Sequence, residues 1–179
     1  MDAETLYELI NQSDLTLIGY THKDERIKDA LLSKINPIQV GRVKASFNIK
    51  QHLRDVKIDE VLSSRPFYNG KLVHIDLNDI EIEENKEGTL YRAKVLRRFV
   101  NELREQCAGI GYKAIMTSVL YQTMSNDTQV HNFMGGSAPM YASDLVIKFE
   151  NGNLKVIKNR YGKDNLDISS DKLKKMLYI

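Results

Sequence analysis

Cysteine and long apolar runs are scarce in this sequence, and each scarcity excludes a class of protein. The one cysteine, Cys107, excludes a disulfide scaffold and a multi-cysteine metal site, and it is typical of a reducing compartment. No stretch approaches the ~18–20 apolar residues that cross a bilayer, so we expect no membrane span. The start, Met1-Asp2-Ala3-Glu4, lacks the basic region and apolar core of a signal peptide. We therefore expect a cytoplasmic protein.

Net charge and proline are also low. The 26 basic and 24 acidic residues leave a charge of +2, so any contact with nucleic acid must come from a local patch. With only 3 prolines and 10 glycines, and 42% hydrophobic residues, the chain is neither disordered nor collagen-like. Its 179 residues fall within the ~100–200 of one domain, and no repeat or linker divides them. We predict a single domain over residues 1–179.

What is present is an alternation of helical and strand patterns. Apolar spacing predicts helices over residues 3–11, 24–35, 89–109 and 171–177. Apolar runs predict strands over 15–20, 71–76, 112–121, 141–149 and 154–157, with a strand near 40–47, a short helix ending at Val61, and an acidic loop over 78–88. The long helix, with Thr89 as its cap, connects two strands as a crossover does in a parallel sheet. Asn151-Gly152, between the last two strands, is a strong hairpin signal. Together these patterns predict an α/β fold: a mainly parallel sheet flanked by helices, with a C-terminal antiparallel hairpin.

Three segments carry a resemblance to a known family. They read AIMTSVLYQT from Ala114, MGGSAPMYASD from Met134 and KVIKNRYG from Lys155, and a strand ending at Asp76 precedes them. In these residues the sequence resembles the RecA-like ATPase core that strand-exchange recombinases share with DnaB-type replicative helicases, especially in bacteriophage versions. The resemblance implies a RecA-like sheet, and a place in the host cytoplasm if the gene is viral.

The phosphate loop of that family is missing. No Gly-x-x-x-x-Gly-Lys-Ser/Thr occurs, and Gly70-Lys71 is followed by Leu72. Such a loop wraps backbone N–H groups and a lysine around phosphates, so the isolated chain is expected to use no cofactor. The chain looks as if it begins after the position of that loop. The family's water-positioning glutamate is also out of place, since Tyr20-Thr21-His22 stands there.

By the resemblance, Asp76 is the carboxylate that acts on Mg²⁺, in this chain only together with a nucleotide. Gln122, with Thr123 as an alternative, ends the central strand and relays the nucleotide state within an assembly. The alternative readings stay open: Asp76 caps a turn, and Gln122 is a polar residue leaving a strand.

The segment 124–140 contains no lysine or arginine, so a DNA contact there would use backbone groups. Gly135 and Gly136 allow close approach to a phosphate, and we assign Asn132 and Ser137 to the same DNA-facing loop. The alternative is a surface loop with a glycine hinge.

Lys158 and Arg160 project from one face of a strand end. The resemblance implies that this pair reaches the phosphates of a nucleotide on the neighbouring subunit. The alternative is a basic edge strand that discourages aggregation.

Two hypotheses follow. The chain is part of an oligomeric, ATP-dependent, helicase-like motor of phage DNA replication or recombination, with ATP, Mg²⁺ and single-stranded DNA bound only in the assembly. Alternatively, it is a non-catalytic RecA-like paralogue that binds a helicase, a recombinase or DNA as a regulator or scaffold. An unrelated α/β enzyme is a third reading, although no nucleophile elbow or carboxylate pair appears. Independent ATP hydrolysis is not expected under the first two.

Overall fold

A computed structural model describes residues 3–40, 43–47, 56–58, 70–82, 88–125, 128–133, 137–162 and 167–179. Within these ranges the helices are α1 (Ala3–Gln12), α2 (Glu25–Ile35), α3 (Gly88–Ile110), α4 (Ala138–Ala142) and α5 (Ser170–Leu177). The strands are β1 (Leu15–Tyr20), β2 (Ile38–Gln39), β3 (Val43–Phe47), β4 (Val56–Ile58), β5 (Leu72–Asp76), β6 (Ile80–Ile82), β7 (Lys113–Val119), β8 (Tyr121–Ser125), β9 (Thr128–Asn132), β10 (Leu145–Glu150) and β11 (Asn153–Asn159). Short 3₁₀ turns cover His22–Asp24 and Leu77–Asp79.

Six strands form one sheet in the order β11-β10-β1-β7-β5-β2. All neighbours pair in parallel except β10 and β11, which form an antiparallel hairpin. The turn of this hairpin uses Asn151 and Gly152, both at positive φ, as the sequence indicated. The predicted α/β class, with a mainly parallel sheet and a C-terminal antiparallel hairpin, is confirmed.

Helices cover both faces of the sheet. Alternate strand residues such as Ile18 and Ile115 pack against α1, α2 and α5, while their neighbours Leu17 and Met116 pack against α3 and α4. This alternation follows from the twofold side-chain period of a strand that is buried on both sides. One face of α3 is buried against the sheet, namely Leu96, Phe99, Val100, Leu103 and Cys107.

The predicted and observed ends of a helix agree closely where a residue at the helix end itself stops the helix. Helix α2 ends at Asn36, which adopts the left-handed conformation and donates its N–H to Leu32. Helix α3 is followed by Gly111, whose N–H binds the Cys107 carbonyl. It begins at Gly88, so the predicted cap Thr89 is wrong. The predicted short helix ending at Val61 falls outside the described residues.

Three other predictions are corrected. The acidic loop contains β6, which pairs in parallel with β3. The strand predicted over 112–121 ends at Val119, and the chain then folds into the β8–β9 hairpin. The strand predicted over 141–149 begins only at Leu145, because Pro139 lies in the first turn of α4.

The described helices include none with both the length and the apolar character needed to cross a membrane.

Candidate functional site

The parallel strands end together at one edge of the sheet, called here the carboxyl edge, where open α/β folds bind ligands. Asp76 ends β5 at this edge and lies opposite Thr117 of β7. Its Oδ1 accepts hydrogen bonds from the backbone N of Asn78 at 2.9 Å and from the Asn78 side-chain amide at 2.7 Å. Asp76 thus caps the 3₁₀ turn that follows it.

A buried lysine packs on Tyr20, which ends β1 at the same edge of the sheet. Lys28 of α2 is only 6% exposed, with its Nζ 2.7 Å from Asp29 Oδ1 and 4.4 Å from the centre of the Tyr20 ring. Burial raises the pKa of Asp76, whereas the Asn78 hydrogen bonds and the Lys28 charge act in the opposite direction. Burial, followed by the negative charge of Asp76, raises the pKa of Tyr20 to about 12. The carboxylate that pairs with Lys28 is therefore Asp29, and the effect of Lys28 on the pKa of Asp76 is secondary to burial and to the backbone N–H of Asn78.

Asn78 connects three strands of the carboxyl edge. Besides Asp76, its amide Nδ2 donates to Tyr20 Oη at 3.3 Å, and its Oδ1 accepts the N–H of Val119 at 3.1 Å. Sequence reasoning missed this role, because a single asparagine after a strand resembles an ordinary turn residue.

A row of polar side chains crosses β2, β5 and β7 one step inside the edge. His74 Nδ1 lies 2.6 Å from Gln39 Oε1, and His74 Nε2 lies 2.7 Å from Thr117 Oγ1. Burial lowers the pKa of His74 to about 4, and Lys28 adds to the effect. In the sequence, this row could have been noticed from the two-residue spacing of His74 and Asp76, which places both side chains on one face of β5.

Other predicted residues of the carboxyl edge are only partly described. The backbone of Gln122 pairs with His131 in the β8–β9 hairpin, but the side chains of Gln122 and Thr123 lie outside the described part of the chain. The role assigned to them stays a prediction.

The proposed DNA loop is described only at its two ends. Asn132 pairs with Tyr121 at the end of β9, and Ser137 is exposed and accepts the N–H of Tyr141 at the start of α4. Gly135 and Gly136 lie outside the described residues. DNA binding by this loop stays a prediction.

Lys158 and Arg160 lie at the opposite, amino edge of the sheet, around the buried Asp144. Asp144 Oδ1 is 2.5 Å from Arg160 Nη1 and 3.1 Å from Arg104 Nη2, while its Oδ2 accepts N–H groups from Asp14 and Leu15. Both cations predicted to act on a neighbouring subunit thus lie away from Asp76, and Arg160 is paired within the chain.

Lys158 is also held by its own chain. Its Nζ donates to the carbonyls of Met140 and Tyr141, at the end of α4, at 3.1 and 3.0 Å. Burial and the neighbouring guanidinium groups lower the pKa of Lys158. Asp144, which organises this region, was noted in the sequence only as the end of a motif.

The donor set at Asp76 does not fit a protein-held Mg²⁺. Magnesium prefers oxygen ligands, whereas here one carboxylate oxygen is already occupied by two N–H donors of Asn78. Among the described residues, no group of three or more His, Cys, Asp or Glu side chains is placed to hold a metal ion.

The chain matches no protein-family model, and no curated protein is significantly similar to it.

Proposed function

We propose that the chain is a non-catalytic RecA-like protein of phage DNA replication or recombination. It acts in the host cytoplasm as a regulator or scaffold of an ATP-dependent DNA motor and does not hold a nucleotide itself. The observation that carries this proposal is the bonding of Asp76. In a motor of this kind the carboxylate faces Mg²⁺, but here its Oδ1 binds the backbone and side-chain N–H groups of Asn78 and caps the turn that follows.

The connection after β1 supports the same proposal. By the RecA-like resemblance, the end of β1 is where a motor carries the glutamate that positions the attacking water, whereas this chain has Tyr20-Thr21-His22 there. The nearby carboxylate of Asp24 is buried and accepts hydrogen bonds from Thr21 Oγ1 at 2.8 Å and from Gly152 N at 2.9 Å. Its oxygens are therefore used within the chain and do not replace that glutamate.

A motor subunit that binds nucleotide only in an assembly is the second candidate. It is favoured by the placement of Asp76 and of the Lys158–Arg160 pair at opposite edges, which suits a head-to-tail contact between subunits. It ranks second because Lys158 and Arg160 would have to exchange their contacts with α4 and Asp144 for a neighbour's phosphates.

ATP hydrolysis by the purified chain tests the choice. With Mg²⁺ and single-stranded DNA, we expect no more phosphate release from the wild type than from Asp76→Asn. Added to the RecA-like helicase or recombinase encoded in the same genome, the chain is expected to change that enzyme's DNA-stimulated rate. Hydrolysis by the isolated wild type that Asp76→Asn abolishes would contradict the proposal.

A further inference from the structure

A second feature of the carboxyl edge is a cavity that is lined by neither Asp76 nor Asp144. It has a volume of about 500 Å³ and lies between the start of α2, the β10–β11 turn and α5. Lys23 and Arg26 line it from the α2 side, and Lys174 lines it from α5. This volume lies within the ~300–1,000 Å³ that is usual for small-molecule sites.

The three cations around this cavity are not paired with carboxylates, whereas other cations of the chain are. Lys28, Lys155 and Arg160 each lie within 4 Å of a carboxylate. Across the ranges that the structure describes, no carboxylate pairs with Lys23, Arg26 or Lys174. Three positive charges, from the 3₁₀ turn, from α2 and from α5, therefore line one space, and an anion would reduce their mutual repulsion.

The carboxylate at the base of the cavity does not neutralise them. Asp24 is 3% exposed, and its two oxygens are occupied by Thr21 Oγ1 and by the N–H of Gly152. No salt bridge joins it to the three cations within the described residues.

The bottom of the cavity, at Gly152 and Ser170, is also closely packed. A Cβ on Gly152 would lie 2.8 Å from Ser170 Oγ, and Gly152 has a φ of +79°, so this position requires glycine. The backbone N–H of Ser170 is fixed by Asn153 Oδ1 at 2.8 Å. Ser170 lines the cavity, where its hydroxyl can donate to an anionic oxygen.

We propose that this cavity binds a small molecule carrying phosphate groups, through Lys23, Arg26 and Lys174. Phosphate oxygens match the charge of the cations and accept hydrogen bonds from ammonium, guanidinium and hydroxyl groups. The inference goes beyond the proposed function. Its test contains no ATP, Mg²⁺ or partner chain, so either proposal can fail without the other.

The test is calorimetric titration of the full chain with pyrophosphate at low ionic strength, with inorganic phosphate in a parallel arm. We expect saturable one-to-one binding of pyrophosphate, with amide NMR shifts concentrated at Gly152 and Ser170. Lys174→Gln and Arg26→Gln should each weaken binding about three- to tenfold, as expected for charge-assisted contacts that are partly exposed. Tighter binding of inorganic phosphate than of pyrophosphate would instead assign the site to a single phosphate group and overturn the multi-phosphate ligand.

Lys175→Gln is the matched control, because it removes the same charge from the next residue of α5, which does not line the cavity. We expect it to weaken binding less than twofold. Equal losses in the two lysine variants, or no saturable binding to the wild type, would overturn the proposal. Thermal unfolding without ligand checks that all variants fold.

Discussion

His74 is a buried histidine whose two ring nitrogens are both hydrogen-bonded within the sheet. Histidine in a strand next to an aspartate resembles a catalytic or metal-binding residue, yet both ring nitrogens are hydrogen-bonded to neighbouring strands. In the neutral ring, Nδ1 donates to Gln39 and Nε2 accepts from Thr117. Protonation would remove that acceptor and place a charge in a buried site close to Lys28.

This arrangement predicts a pH dependence of stability. The pKa of His74 is about 4 in the folded protein and 6.5 ordinarily, so the unfolded chain binds the proton more tightly. The stabilisation is fully present above pH 6.5 and is lost as the pH falls towards 4. The loss is about 3 kcal/mol, because each pKa unit corresponds to ~1.4 kcal/mol.

Urea unfolding of the wild type and His74→Gln at pH 7 and pH 4.5 measures this effect. The free energy of unfolding should fall more for the wild type, because glutamine does not titrate. Carboxylates contribute equally to both proteins, so equal losses would refute the role assigned to His74.

Among the elements, β1 shows how a strand depends on a contact from a distant segment. Gly19 lies where Phe133, just after β9, packs onto the sheet: a Cβ on Gly19 would be 2.4 Å from Phe133 Cε1 and 2.7 Å from Leu120 Cδ2. Gly19→Ala should therefore lower the free energy of unfolding by about 1–3 kcal/mol, as overpacking does.

Gly109→Ala in α3 is the matched control for that change. Nothing lies within 4 Å of its added Cβ, so alanine should stabilise the helix by about 0.5–1 kcal/mol. Chemical denaturation of both variants measures the two effects. Stabilisation by Gly19→Ala would show that Phe133 does not pack as described.

The elements also show which features a sequence can predict. The bounds of β1 and the end of α2 follow from a continuous apolar run and from Asn36, both local signals. Strand β6 was missed because it is only three residues long and depends on pairing with β3. The β8–β9 hairpin was missed because its apolar residues merge with those of β7.

The same distinction applies to the candidate site. The alignment of Asp76 with Thr117 follows from strands that end together, so it could be expected from the sequence. The contacts of Asn78 with Tyr20 and of Arg104 with Asp144 join residues that are distant in the chain. Only the assembly of the sheet and the packing of helices on it bring such residues together.

At the scale of the whole molecule, the two edges of the sheet carry different chemistry. The carboxyl edge holds Asp76 with its internal partners and the cationic cavity, and the amino edge holds two arginines around Asp144. This separation is compatible with a protein that presents different surfaces to different partners. The single RecA-like domain over residues 1–179 stays a prediction.

The central claim is that this sheet has no working site for a magnesium–nucleotide complex. Titration of the isolated chain with Mg·ATP, for the wild type and Asp76→Asn in parallel, tests it most directly. The account predicts the same affinity for the two proteins, because a triphosphate held by Lys23, Arg26 and Lys174 would not depend on Asp76. Micromolar binding by the wild type that Asp76→Asn removes would contradict it.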